Sequence, residues 1–95
     1  MYDITFTSHS EKYFKKLKEK PLKKMYKLTL EKIQHNPYSG QQKRGDLSKV
    51  YSFDMRYQGV NYEIAYLIIE HPQSKIVVIL AGTRENFYEQ LKRLI

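Results

Sequence analysis

The sequence predicts an α+β fold, a small, mostly antiparallel four-stranded sheet with an N-terminal helical hairpin packed on it and a short C-terminal helix. Residues 50–69 alternate apolar and polar side chains around Gln58-Gly59, which is typical of a β-hairpin. Residues 10–35 instead carry apolar side chains every three or four positions, which is typical of amphipathic helices. The element order is β-α-α-β-β-β-α, within one domain over residues 1–95.

The elements before the hairpin are predicted from local signals. Residues 2–7 alternate in polarity and are predicted as a strand. Helices are predicted over residues 10–19 and 21–35, because Pro21 ends the first helix and suits the first turn of the second. Residues 37–49, which follow the helix-ending Asn36-Pro37, are predicted as a loop.

The hairpin and the segments after it supply the rest of the sheet. Its first arm has a predicted core face and a predicted polar face: Tyr51, Phe53, Met55 and Tyr57 against Ser52, Asp54 and Arg56. Residues 75–81 form a nearly continuous β-branched run, which predicts an interior strand. Residues 85–95 carry apolar side chains on one side and are predicted as a short helix.

Composition limits the classes of protein to which this chain can belong. A net charge of +7 favours a polyanionic partner such as nucleic acid, or an acidic protein, although a solvated lysine-rich helical surface explains it equally well. The chain has no cysteine and no apolar run near the ~20 residues that span a membrane. A cytoplasmic protein without a membrane partner is therefore expected.

Spacing excludes several kinds of catalytic site. The chain has no glycine-rich phosphate loop, and its glycines are scattered at turns. His9, His35 and His71 fall at a helix start, a helix end and a loop, without the spacing of metal ligands. Neither a metal site nor a cofactor is predicted.

Four segments carry a family resemblance that covers essentially the whole chain: RGDL at 44–47, VYSFDMR at 50–56, YEIAY at 62–66 and ILAGTRENFY at 79–88. Together with the element order and the lysine-rich helical hairpin, they resemble the RelE/ParE toxins of bacterial and archaeal toxin–antitoxin modules. The resemblance implies the same small sheet with a helical hairpin packed on it. It also implies a toxin held inactive by a cognate antitoxin, which the basic charge predicts to be acidic.

The two branches of this family imply different activities. RelE-like members enter the ribosomal A site and cut mRNA without a metal ion, by attack of the 2′-hydroxyl on the adjacent phosphate. ParE-like members share the fold but block DNA gyrase and cut nothing. We favour the first activity, with the ribosome and mRNA as partners. The alternative is a gyrase inhibitor, and a generic basic RNA-binding domain ranks third because the chain lacks the stacked aromatics of such modules.

The resemblance implies catalytic roles for three residues. Arg84, just after the last strand, matches the arginine that RelE-like nucleases place at the scissile phosphate, and a structural ion pair is its alternative role. Tyr88 lies close to the position where RelE-like nucleases carry a C-terminal functional tyrosine, although the spacing differs. Its alternative role is packing as a helix residue. Arg56 matches a basic position on the first arm of the hairpin, or pairs with a surface acid.

Three positions depart from the RelE pattern. Ser52 and Asp54 stand where RelE itself has two lysines, and Glu63 stands where the nucleases commonly have an arginine. Other ribosome-dependent relatives use a carboxylate base. Asp54 and Glu63 therefore join the predicted catalytic group.

Four basic residues are candidates for binding nucleic acid. Lys43 and Arg44 lie on the loop before the hairpin, where a basic pair can grip an RNA backbone. Lys15 and Lys16 lie on the first helix, where they fit the phosphates of ribosomal RNA. A solvated surface remains the alternative for all four.

The most specific structural prediction concerns Asp54 and Glu63. A two-residue turn at Gln58-Gly59 pairs these acids across the hairpin, where directly opposed like charges are destabilising. Either a cation sits between them, or one acid keeps its proton to higher pH and suits a general base or acid. We favour a cation, with three candidates: Arg56, Arg84 and Lys43.

Overall fold

The chain forms five strands and three helices, and the computed structural model describes residues 1–95. The strands are β1 (Asp3–Phe6), β2 (Gln41–Gln42), β3 (Val50–Tyr57), β4 (Val60–Ile69) and β5 (Lys75–Thr83). The helices are α1 (Ser8–Lys16), α2 (Lys20–His35) and α3 (Phe87–Leu94). All five strands join one sheet in the order β1-β5-β4-β3-β2, which confirms the predicted α+β class.

The β3–β4 hairpin has the predicted turn and register. Gln58 and Gly59 have φ values of 50° and 77°. Positive φ at both central residues defines a type I′ turn, which matches the twist of the strands it joins. The register that follows places Asp54 opposite Glu63. The prediction that these two acids are cross-strand neighbours is confirmed.

The sheet has five strands, not the predicted four. Gln41–Gln42, within the segment predicted as a loop, pairs antiparallel with Ser52 and Tyr51 of β3. Both glutamines are exposed, so this edge strand has no alternation of apolar and polar residues for the sequence to reveal. At the opposite edge, β1 pairs with β5 in parallel, with Asp3 opposite Lys75.

Helices cover both faces of the sheet, so there are two hydrophobic cores. The α1–α2 hairpin covers one face, as predicted, over a core of Leu22, Tyr26, Ile33, Met55, Ile64, Tyr66, Ile76, Val78 and Ala81. The other face carries a smaller core that includes two residues of α3: Leu47, Val50, Ala65, Ile79, Leu80, Phe87 and Leu91. This second core restricts the polar face to the end of the hairpin near its turn.

Ser52 was predicted to lie on the polar face of the hairpin, but it is buried in the structure. Its side chain shares a face with Val50 and Asp54 by strand alternation, but the residue is only 2% exposed. The core beneath α3 covers this part of the sheet. Asp54 and Arg56, nearer the turn, remain exposed as predicted.

The helix ends also differ from the predicted ends. α1 begins at Ser8, because Thr7 is its N-cap and its hydroxyl accepts a hydrogen bond of 3.2 Å from the Ser10 N–H. α1 ends at Lys16, and Leu17 already has extended backbone. α3 begins only at Phe87, because the preceding residue, Asn86, has a φ of 57°.

Candidate functional site

Arg84 is held at the end of β5 by backbone hydrogen bonds. Its N–H donates to the carbonyl oxygen of Asn61 over 3.1 Å, and its carbonyl oxygen accepts from the N–H of Phe87 over 3.1 Å. Two residues earlier, Gly82 faces Glu63 in the β4–β5 register. These contacts fix Arg84 beside the polar end of the β3–β4 hairpin.

The Arg84 guanidinium bridges the two opposed acids. Its Nη2 donates to Asp54 Oδ2 over 2.6 Å, and its Nε donates to Glu63 Oε1 over 3.3 Å. The charge of Asp54 and the hydrogen bond to Glu63 raise the pKa of Arg84 further above its ordinary value. The prediction of a cation between the two acids is therefore confirmed, and Arg84 occupies that position.

Lys43 is a second cation on Glu63, and it is buried. Its Nζ lies 3.1 Å from Glu63 Oε2, and the two side chains are only 8% and 4% exposed. The contact is ionic, because this oxygen accepts no hydrogen bond of favourable geometry. Burial alone lowers the pKa of Lys43, but the hydrogen bond to Tyr88 and the charge of Glu63 outweigh it, so the net pKa is raised. Lys43 therefore carries its charge at neutral pH.

Tyr88 joins the same group through Lys43. The Lys43 ammonium donates to the Tyr88 hydroxyl oxygen over 2.7 Å and lies 4.6 Å from the centroid of the ring. An ammonium group only donates hydrogen bonds, so the Tyr88 hydroxyl hydrogen remains free to reach a ligand. Tyr88 is 47% exposed. Its hydroxyl is thus an accessible donor beside a fixed positive charge.

These contacts define a charged cluster on the polar end of the sheet, which consists of Lys43, Asp54, Glu63, Arg84 and Tyr88. It contains two cations and two carboxylates. Four of its members were predicted to be catalytic, and Lys43 was predicted to bind RNA. The buried side chains of Lys43 and Glu63 form its base, and the half-exposed Asp54 and Arg84 form its surface.

Other predicted site residues lie outside the charged cluster. Arg56 donates through Nη1 to Asn61 Oδ1 over 3.1 Å and contacts neither acid. Lys15 forms an exposed pair with Glu11 at 3.5 Å, and Lys16 is exposed on the same helix. The α1–α2 layer lies on the opposite face of the sheet from α3, so the structure does not bring these lysines to Arg84.

Two features around the charged cluster were not predicted: a pocket beside Lys43 and the anchoring of Arg84 by Asn61. Arg44 is exposed and lines an open pocket with Gln41, Gln42, Lys43 and Tyr88. Asn61 anchors Arg84 through its backbone and Arg56 through its side chain. Only the Asn61–Arg56 contact had a signal in the sequence, because the turn pairs these residues across the hairpin.

The charged cluster suits stabilisation of an oxyanion. Cations held in place before a reaction can stabilise negative charge that builds on phosphoryl oxygens. Glu63 holds both cations from a buried position, and Arg84 and Tyr88 are each about half exposed. No group of three or more histidine, aspartate or glutamate side chains is placed to hold a metal ion. No helix is both long enough and apolar enough to cross a membrane.

Comparison with known proteins identifies a family. The family model described as the ParE-like toxin of the type II bacterial toxin–antitoxin system matches residues 4–92. This match covers nearly the whole chain. No curated protein matches the sequence at a significant level.

Three solved structures share the fold. A free RelE toxin from E. coli with two arginine-to-alanine substitutions is 22% identical, with a TM-score of 0.73 over 99% of this chain and 98% of that chain. The RelBE toxin–antitoxin complex of E. coli is 21% identical, with a TM-score of 0.69 over 86% and 95%. The RelBE2 toxin–antitoxin complex of Mycobacterium tuberculosis is 20% identical, with a TM-score of 0.68 over 87% and 98%. At these identities the likeness establishes the fold.

Proposed function

The chain belongs to the ParE-like toxins of type II toxin–antitoxin systems, and from this premise we propose that it is a ribosome-dependent mRNA endonuclease that inhibits translation. One observation carries the proposal: the Arg84 guanidinium and the Lys43 ammonium are both held on Glu63, and the Tyr88 hydroxyl lies beside Lys43. This arrangement resembles the one that cleavage of a phosphodiester requires, with fixed cations for the phosphoryl oxygens and a donor for the leaving oxygen. The toxin would act in the cytoplasm, where ribosomes are found.

In this proposal the RNA attacks itself, and the protein stabilises the transition state without a metal ion. The 2′-hydroxyl gives its proton to a carboxylate as its oxygen bonds to the adjacent phosphorus, the bond from phosphorus to the 5′-oxygen breaks, and the leaving 5′-oxygen takes up a proton from water. Arg84 stabilises the charge on the phosphoryl oxygens. Tyr88 donates a hydrogen bond to the leaving oxygen, and the positive charge of Lys43 supports that hydrogen bond electrostatically.

The two acids have different roles in this proposal. The Glu63 side chain is 4% exposed and touches two cations, so it is an organiser of those cations and not the base. Asp54 is half exposed, so it is the carboxylate able to take the proton of the 2′-hydroxyl. Arg56, Arg44, Lys15 and Lys16 remain candidates for contacts to the RNA backbone.

We also propose that a cognate antitoxin holds this toxin inactive. The RelBE structures with the same fold are complexes of a toxin with its antitoxin. The net charge of +7 favours an acidic partner. We expect that partner to cover the basic helical hairpin and to mask the charged cluster.

The test is to map new 5′ ends of mRNA after brief induction of the toxin, and in a reconstituted translation system with and without ribosomes. We expect cleavage that needs ribosomes and persists in the presence of a chelator that leaves ribosomal magnesium in place. Arg93→Ala serves as the control variant, because it removes an exposed arginine of α3 that is outside the charged cluster. Growth arrest without new mRNA ends would contradict the proposal.

Inhibition of DNA gyrase is the second candidate. Both cations of the charged cluster are already paired with carboxylates, which suits a surface with no chemistry, and the matching family model is named for ParE-like toxins. A supercoiling assay with purified gyrase separates the two candidates. Loss of supercoiling without new mRNA ends would support this second reading.

A further inference from the structure

The two carboxylates on Arg84 differ in burial and in the guanidinium nitrogen that each contacts. Glu63 is buried and contacts Arg84 through Nε, while Asp54 is 50% exposed and contacts Arg84 through Nη2. Glu63 also holds Lys43. Glu63 is thus the buried anchor of the guanidinium, and Asp54 is an additional anion on its exposed side.

Asp54 occupies a donor of Arg84 that a ligand would need. A guanidinium offers five N–H donors in one plane, and it binds phosphate or carboxylate through two parallel hydrogen bonds. In Arg84, Glu63 uses Nε and Asp54 uses Nη2, although the side chain is 54% exposed. An incoming oxyanion that binds through two parallel hydrogen bonds and uses Nη2 therefore competes with the Asp54 carboxylate.

Displacing Asp54 from Arg84 requires little else to move. Exposed ion pairs are weak because water solvates both partners once they separate. Asp54 lies on the open end of the hairpin, where its carboxylate has solvent to move into. Moving it away from Arg84 also relieves its repulsion with Glu63, the residue directly opposite. Glu63 keeps its buried contacts and holds the guanidinium in place.

We propose that Asp54 is an internal anion that takes the place of an RNA phosphodiester on Arg84 in the free toxin and gives up this contact, but stays beside the site, when RNA binds. RNA as the ligand rests on the proposed function, and displacement of Asp54 rests on the geometry. The carboxylate lowers the affinity of the site for stray anions. A phosphodiester that is delivered at high local concentration displaces it.

The test measures binding without cleavage. A single-stranded RNA trinucleotide with 2′-O-methyl groups, which lacks the attacking hydroxyl, is titrated into ¹⁵N-labelled toxin, and the Arg84 Nε–H signal is followed by NMR. We expect Asp54→Asn to lower the dissociation constant about three- to tenfold, because it keeps the shape of the side chain and removes the competing charge. The amide spectrum of the variant confirms that it is folded.

Two controls separate competition from a general effect of charge. Asp3→Asn makes the same change of net charge at the far edge of the sheet, where Asp3 is exposed, and we expect it to change affinity less than about twofold. In an Arg84→Gln background, where binding is followed by the backbone amide signals, Asp54→Asn should produce no gain. Acetate is titrated in parallel as a carboxylate ligand.

Several results would overturn the inference: equal or weaker binding in Asp54→Asn, an equal gain in Asp3→Asn, or a gain that survives Arg84→Gln. A gain for acetate without one for the trinucleotide would assign the site to a carboxylate ligand and reject a phosphodiester. The measurement involves neither ribosomes nor cleavage. Failure to find new mRNA ends would therefore overturn the endonuclease proposal without affecting this result, and the reverse also holds.

Discussion

Glu63 contacts both cations of the charged cluster from a buried position. Its two carboxylate oxygens face different partners, with Oε1 near Arg84 and Oε2 near Lys43. A buried charge that loses its partner keeps the cost of desolvation and gains no compensating attraction. The Lys43–Glu63 pair should therefore behave as one unit in stability measurements.

We expect Lys43→Met and Glu63→Gln each to lower the free energy of unfolding by about 3 kcal/mol, since each leaves the other member of a buried pair without its partner. The double variant should lose much less than the sum of the two. Urea unfolding of all four proteins measures the coupling. If the two losses simply added, the 3.1 Å contact would contribute no stability.

Arg84 should matter to activity far more than to stability. Its side chain is 54% exposed, so Arg84→Ala should change the free energy of unfolding little. Loss of a cation at the transition state should lower the rate of mRNA cleavage by about two to three orders of magnitude. Single-turnover cleavage on ribosomes measures this, with Arg93→Ala as the matched arginine control. Cleavage by Arg84→Ala at the wild-type rate would remove Arg84 from the reaction.

Sequence reasoning reached part of this cluster. The turn at Gln58-Gly59 fixes the partner of every hairpin residue, so Asp54 and Glu63 were paired correctly. Family resemblance supplied Arg84 and Tyr88. The burial of Lys43 was not predictable, because it depends on the fold bringing residues 45 positions apart into contact.

At the scale of elements, the type I′ turn sets the register that assembles the charged cluster. Gln58 and Gly59 both have positive φ, yet glutamine rarely adopts this backbone conformation, whereas asparagine does so more readily. A slip of one residue in this register would move Asp54 to the opposite face of the sheet. The turn is therefore a determinant of the site as well as of the fold.

We expect Gln58→Asn to raise the free energy of unfolding by less than about 1 kcal/mol and Gly59→Ala to lower it by about 1 kcal/mol. A Cβ on Gly59 would meet no atom within 4 Å, so the cost of that change lies in the backbone alone. Chemical denaturation measures both. A stable Gly59→Ala variant would show that the turn tolerates an L-residue at this position.

A second set of hydrogen bonds joins three segments: the residue before β1, the short 3-10 helix Pro37–Ser39, and the chain that follows β4. Glu70 Oε2 accepts hydrogen bonds from Tyr2 Oη over 2.7 Å and from Tyr38 Oη over 2.5 Å, and Oε1 accepts one from Ser74 Oγ over 3.2 Å. The bonds from Tyr38 and Tyr2 lower the pKa of Glu70. The same carboxylate raises the pKa of Tyr38 to about 12.

Because the pKa of Glu70 is lower in the folded state than its ordinary value of 4.5, its contribution to stability is complete above that value and is lost as pH falls below it. We expect Tm to fall less in Glu70→Gln than in the wild type between about pH 5 and about pH 3. Thermal unfolding across this range measures the difference. Parallel curves would show that these hydrogen bonds do not favour the ionised form.

Among the elements, long segments with regular periodicity were predicted well, and short ones were not. The α1–α2 hairpin, β3, β4 and β5 each have a clear period of apolar residues. β2 consists of two exposed glutamines that pair through their backbone. The core under α3 was missed because Ser52 looked polar in the sequence, whereas the covering helix buries it.

At the scale of the whole molecule, the basic charge is concentrated on the α1–α2 layer, and the charged cluster lies across the sheet from it. Nine lysines and four acids lie in residues 1–36, and most of these lysines are exposed. A partner that both neutralises the helices and masks Arg84 must wrap around an edge of the sheet.

We expect the affinity for the cognate antitoxin to fall at least about tenfold between about 0.05 M and about 0.5 M salt, since screening weakens attraction between exposed charges. The double variant Lys16→Gln/Lys24→Gln should weaken binding more than Lys49→Gln/Lys75→Gln. The second variant removes the same charge outside the α1–α2 helical hairpin. Titration calorimetry at several salt concentrations measures both. Affinity that is independent of salt would indicate an apolar interface.

The parallel pairing of β1 with β5 also affects when a newly made chain can complete its sheet. Asp3 pairs with Lys75, so completing the sheet requires closure of a loop that contains most of the chain. During synthesis β1 and the helical hairpin emerge from the ribosome before β5 is available for pairing. Arg84 follows β5 directly. Every earlier element of the chain has therefore left the ribosome that makes it before the charged cluster can assemble.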